Sequence, residues 1–142
     1  MPEADEIQAL ADAYREAVRA KDPRRLAALY DADVRVFDTW GDRPFEGLAA
    51  WRVNLDGWLT SLGDDESVEV SFGGIQVSSR GEMGCLHALV TYRALNAAGE
   101  VVRWMDNRLS WVVVSSQDGW TIAHEHTSVP IGPDLQGVLQ PA

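Results

Sequence analysis

The chain has 142 residues, 46% of them apolar, and a formal net charge of -10. That length suits one domain with its own core, and the acidic balance argues against nucleic-acid or anionic-membrane partners, which need basic patches. No apolar run approaches the roughly 18 residues of a membrane span; the lone cysteine, Cys85, leaves no internal disulfide, and the acidic start lacks a signal-peptide pattern, so a cytoplasmic protein is expected.

From Glu3 to Lys21 the apolar positions Ile7, Leu10, Ala11, Tyr14, Ala17 and Val18 recur at helical spacing. They predict an amphipathic helix with Tyr14 on its buried stripe. Asp22 followed by Pro23 supplies an N-cap and a first-turn proline for a second, short helix through Leu26, Leu29 and Tyr30. Val34 to Asp38 alternates as a short strand, with Val34, Val36 and Asp38 on one face. Gly41 to Pro44 reads as a loop. Helical periodicity returns from Gly47 to about Leu62, with Trp51, Leu55, Trp58, Leu59 and Leu62 on one side.

The remainder is strand-like. Ser67–Val77 contains a Gly73–Gly74 pair that predicts a bulge. Met83–Leu95, Val101–Val114 and Trp120–Val129 follow, separated by turns at Asn96–Gly99 and Ser115–Gly119. Cys85 lies in an apolar stretch and reads as packing. Met83–Leu95 is apolar on both faces, whereas a sheet with one wet face should alternate. Helices are therefore expected on one face and a second copy of the chain on the other, giving a homodimer through the sheet. Residues 1–131 form the expected domain, and 132–142 a loosely held tail.

The order helix, helix, short strand, helix, four long strands resembles the nuclear transport factor 2-like superfamily. Three local patterns carry the likeness: Asp22–Pro23 with Leu29–Tyr30, Asp33 and Val36–Phe37–Asp38; Pro44–Phe45–Glu46–Gly47; and Asp118–Gly119–Trp120 through His124–Glu125–His126 to Pro130. The last is similar to the SnoaL-like branch and to the association domain of calcium/calmodulin-dependent kinase. The resemblance implies an α+β, cone-shaped (cystatin-like) fold, with three N-terminal helices packed on a curved mixed or antiparallel sheet around a pocket.

Ketosteroid isomerases of this superfamily use a helix tyrosine, a strand-end aspartate and a mid-strand aspartate. Tyr14, Asp38 and Asp106 stand at similar positions here. By that resemblance Asp38 is the general base, while Tyr14 and a neutral Asp106 donate hydrogen bonds to an enolate oxygen, which needs donors placed in advance. Arg108 lies two residues from Asp106, hence on the same strand face. A guanidinium there would favour ionised Asp106 or hold an anionic ligand. His124 and His126 share a face of the last strand with Trp120 and Ile122 in this reading, His126 or His124 serving as a further proton relay. Glu125 points the other way. A metal would need a third ligand, from His87 or Asp106, and none is expected. Trp40, Trp58, His87, Trp104, Arg108 and His124 are candidate ligand contacts, with Trp40 and Trp58 at the pocket mouth.

The expected function is cofactor-free acid–base chemistry, isomerase- or cyclase-like, on a hydrophobic ring-containing carbonyl compound. The expected partner is a small hydrophobic or weakly acidic organic ligand. The alternative is a non-catalytic ligand-binding or oligomerisation domain similar to the kinase association domain.

Overall fold

The computed structural model describes residues 2–141. Its first helix, α1 (Pro2–Arg19), buries the foreseen stripe: Ile7, Ala17 and Val18 are fully enclosed, and Tyr14 is 3% exposed. Asp22 caps α2 (Pro23–Ala27), its carboxylate accepting from the Arg25 N–H at 3.0 Å. Strand β1 (Tyr30–Phe37) starts earlier than its alternation predicts. Tyr30 leaves the helix because it pairs with Ile122, and this long-range pairing overrides local periodicity. A two-residue β2 (Phe45–Glu46) precedes α3 (Leu48–Thr60), whose buried side carries Trp51, Leu55 and Leu59.

Four long strands follow: β3 (Ser67–Arg80), β4 (Met83–Leu95), β5 (Val101–Ser116) and β6 (Gly119–Ser128). The sheet order is β2-β1-β6-β5-β4-β3. Strand β1 runs parallel to β6, and every other neighbour is antiparallel. The architecture is therefore α+β with a mixed six-stranded sheet, as expected. No helix among the described residues is long and apolar enough to cross a membrane.

The helices cover one face of the sheet, where Leu86, Val90, Trp111, Val113 and Ile122 are fully buried. Close approach of α1 depends on Gly84 in β4. A Cβ there would stand 2.9 Å from Ile7 Cδ1 and 2.9 Å from the Ser78 carbonyl oxygen, closer than packed atoms tolerate.

Two of the sheet's four register shifts bear on residues read from the sequence. One lies between Gly73 and Gln76, where the glycine pair predicts a bulge. The other, unsignalled by glycine, sits opposite Val112 and Val113, which pair with His124 and Ile122. Ala123 is the extra residue, so Ile122 and Glu125 both face the helices.

The segment after Gly132, expected to be a loosely held tail, folds back instead. Ile131 bridges Gly137 across a tight turn, and the Asp106 N–H donates to the Leu139 carbonyl at 2.8 Å. Strand β6 stops opposite Arg108, which leaves the start of β5 without a partner on that side. The tail occupies the vacated edge and satisfies its backbone groups.

Candidate functional site

Between the helices and the inner face of the sheet lies a cavity of about 620 Å³. That size suits a small organic molecule. Its walls come from α1 (Tyr14), the segment just after β1 (Asp38, Thr39, Trp40), α3 (Trp51, Leu55, Trp58), and the inner faces of β4 (Tyr92), β5 (Asn107) and β6 (Glu125, Thr127); Trp104, Leu139 and Gln140 also line it. The Gln140 side chain donates to the Trp104 carbonyl at 2.8 Å, joining tail and wall.

Asp38 follows the last β1 residue and continues the inward parity of Val34 and Val36. Its Oδ2 accepts from the Trp40 N–H at 3.2 Å, and its Oδ1 accepts from the Thr127 hydroxyl at 3.3 Å. Thr127 is itself oriented by the Thr39 N–H at 2.9 Å. Partial burial raises the Asp38 pKa above the ordinary carboxylate value, although the hydrogen bonds from Trp40, Thr127 and Thr39 oppose this. A carboxylate short of water beside an apolar cavity is a stronger base than a solvated one. Thr39 also bonds the side-chain carbonyl of Asn107, extending the polar rim.

The Tyr14 and Tyr92 hydroxyls stand 2.9 Å apart. Burial, the largest cause, pushes both pKa values up, and nearby acidic groups add to it, so both phenols stay neutral donors. Tyr92 lies on the inner parity of β4 with Leu86, Ala88 and Val90, and its ring meets the Trp58 edge at a centroid distance of 5.9 Å.

Glu125 is 3% exposed. One of its oxygens, Oε1, accepts twice: from the Tyr30 hydroxyl at 2.6 Å and from the Trp111 indole N–H at 2.9 Å. Burial raises its pKa to about 7, the two donors acting the other way and the Asp38 charge adding to the rise. The Trp51 indole N–H is buried beside Tyr30 without reaching hydrogen-bond geometry to any partner.

The expected site residues divide by sheet face. Tyr14, Asp38, Trp40, Trp58 and Trp104 meet at the cavity. Asp106 does not join them: it turns to the outer face, where the Thr91 hydroxyl donates to it at 2.6 Å. Arg108 also points outward and donates to the Ser128 hydroxyl at 3.2 Å, so it is neither an ion partner nor an anion hold inside the cavity. His87 and Arg108 border a shallow outer groove instead. His124 and His126 lie outward as well, with Nδ1 of His124 2.7 Å from the Arg35 carbonyl and both rings meeting the edge of Phe37. The Ala123 bulge is the physical reason, because it breaks the alternation that grouped the histidines with Ile122. Among the described residues no three His, Cys, Asp or Glu side chains cluster to hold a metal.

Asn107, Tyr92 and Glu125 join the cavity without having been singled out. A signal existed for Asn107: it alternates with Leu109, Trp111 and Val113, whereas Asp106 alternates with Arg108 and Ser110. The apolar parity names the inner face.

A family model described as the SnoaL-like domain matches residues 7–132. No curated protein matches the chain. Among solved structures, an NTF2-like protein of unknown function from Pseudomonas putida superposes with a TM-score of 0.84 at 20% identity, covering 98% of this chain and 95% of that one. A protein with a cystatin-like fold from Caulobacter vibrioides gives 0.74 at 19% identity, covering 94% and 93%. A ketosteroid isomerase-like protein from Erwinia carotovora atroseptica gives 0.65 at 20% identity, covering 89% and 95%. At these identities the structures share the fold, and the family match over nearly the whole chain assigns it: this chain belongs to the SnoaL-like domain family.

Proposed function

We propose that the protein is a cofactor-free acid–base enzyme that isomerises a small hydrophobic ring-containing ketone. The observation that carries this reading is the pairing of a partly desolvated base, Asp38, with a hydrogen-bonded pair of neutral phenols inside one largely apolar cavity. Asp38 takes a proton from the carbon next to the carbonyl and returns it further along the conjugated system. Within the linked pair the Tyr92 hydroxyl donates to Tyr14, and the Tyr14 hydroxyl donates to the oxygen on which charge develops. Trp40 and Trp58 supply flat apolar walls that hold a ring and exclude water. Arg108 no longer favours an anion-binding alternative, because it lies outside the cavity.

The test of the pocket is ligand binding. Titration with 2-naphthol, a flat phenol, should quench the fluorescence of the wall tryptophans. Tyr14→Phe keeps the ring and removes one hydrogen bond, so affinity should fall about three- to tenfold. Equal affinity in wild type and variant would remove Tyr14 from the contact.

We also propose that two copies pair through the outer sheet face. There Leu89 is 55% exposed on β4, beside a groove bordered by Ala88 and Ser110. Leu89→Asp should move the sedimenting species from dimer to monomer, since an unpaired charge buried at an interface is costly. A wild-type monomer would sink the proposal.

A further inference from the structure

Glu125 is the one fully buried acid of the cavity, and the mechanism above leaves it unused. Its two oxygens are not equivalent. Oε1 accepts from both Tyr30 and Trp111. Oε2 has no protein partner, yet it is not among the enclosed unpartnered atoms, so it reaches the cavity space that Glu125 lines. An oxygen accepting two hydrogen bonds carries the charge density of a carboxyl group, and a proton on the group therefore sits on the other oxygen. Neutral Glu125 thus presents an O–H to the ligand space, its direction fixed by Tyr30 and Trp111.

We propose that Glu125 is the second catalytic acid of this site, delivering the Oε2 proton to the substrate carbonyl oxygen while Asp38 takes a proton from carbon. This deepens the isomerase reading and rests on it. The step balances without a co-reactant. Asp38 carboxylate takes the proton from the carbon next to the carbonyl, and the freed C–H pair becomes the new C=C bond. The C=O π pair moves to oxygen, which receives the Glu125 proton. The result is a neutral enol, protonated Asp38 and Glu125 carboxylate. In the return half Asp38 gives its proton to the distal carbon, the enol O–H re-forms the carbonyl, and its proton goes back to Glu125.

The titratable groups around Glu125 suit the role. Tyr30 and Asp38 face it from β1 and the residue beyond it, Tyr14 from α1, and Tyr92 from β4; the α3 residues at the cavity, Trp51, Asn54, Leu55 and Trp58, are all neutral. Arg103 also lines the cavity but is paired with Glu66. No cation is among the groups that shift Glu125, and burial holds its pKa at about 7. The acid is thus protonated in slightly acidic solution and available for transfer near neutrality.

The experiment is the pH–rate profile of wild type, Asp38→Asn, Glu125→Gln and Tyr30→Phe with a cyclic β,γ-unsaturated ketone, followed by the absorbance of the conjugated product. Wild type should fall off above about pH 7 as Glu125 loses its proton. Glu125→Gln keeps an oxygen for Tyr30 and Trp111 and an N–H toward the ligand, but it cannot transfer a proton. Its rate should drop about a hundredfold or more and the alkaline limb should vanish. Tyr30→Phe removes a donor that stabilises the carboxylate, so the limb should move to higher pH; this conservative variant also serves if Glu125→Gln fails to fold. A Glu125→Gln enzyme with wild-type rate and limb, or a limb unmoved by Tyr30→Phe, overturns the assignment while a dead Asp38→Asn leaves the isomerase reading standing. Absence of turnover in wild type overturns both.

Discussion

Asp38→Asn should abolish turnover of a cyclic β,γ-unsaturated ketone, by a factor of about a hundred to ten thousand, and leave the fold intact. The factor is what a positioned general base contributes. The fold should survive because the amide can reuse both contacts. Its oxygen can accept from the Trp40 N–H, and its NH₂ can donate to the Thr127 oxygen, which already takes part in the Thr39–Thr127–Asp38 chain. What the amide cannot do is hold a proton taken from carbon. The measurement is the rate of conjugated product formation beside a thermal unfolding curve. Full activity in a folded variant would exclude Asp38 as the base.

The second large effect concerns stability. In the folded protein Glu125 has a pKa of about 7, while an unfolded glutamate titrates near 4.3. Between those values the folded state binds a proton that the unfolded state has released. Stability therefore falls as pH rises through this window. The full loss, on the order of 4 kcal/mol, is in place above the folded pKa and absent below the unfolded one. Glu125→Gln removes the titration. The stability difference between variant and wild type should shift in the variant's favour between about pH 5 and pH 8, by most of that amount. Urea unfolding of both proteins across that range is the check. A constant difference would mean that Glu125 titrates as it does in the unfolded chain.

Helical and strand periods were enough to place every long element, because each carries an apolar stripe or run long enough to name its type, even where a bulge interrupts it. Tyr14 and Asp38 were legible for the same reason: each continues a run whose inward face is set by its apolar neighbours, Ile7 to Val18 in one case and Val34 with Val36 in the other. The failures have two physical sources. Asp106 was preferred for its chemistry over the parity of its own strand, which puts Asn107 inside and Asp106 outside. Glu125 and the histidines were misplaced because a bulge at Ala123 carries no glycine, and a period of two cannot be projected across an inserted residue. The tail's attachment was illegible for another reason. It depends on an unpaired stretch of β5, a property of strand ends that only the assembled sheet reveals.

That inserted residue separates two jobs along one short stretch of chain. His124, Glu125 and His126 are consecutive, yet the middle one looks into the enclosed chamber and its flanks look out over the open side. Changes at the flanking positions can retune the exterior while the interior acid keeps its setting, and the reverse also holds. Deleting Ala123 would end that independence: everything beyond it would rotate by half a pleat, exchanging the tenants of the two sides.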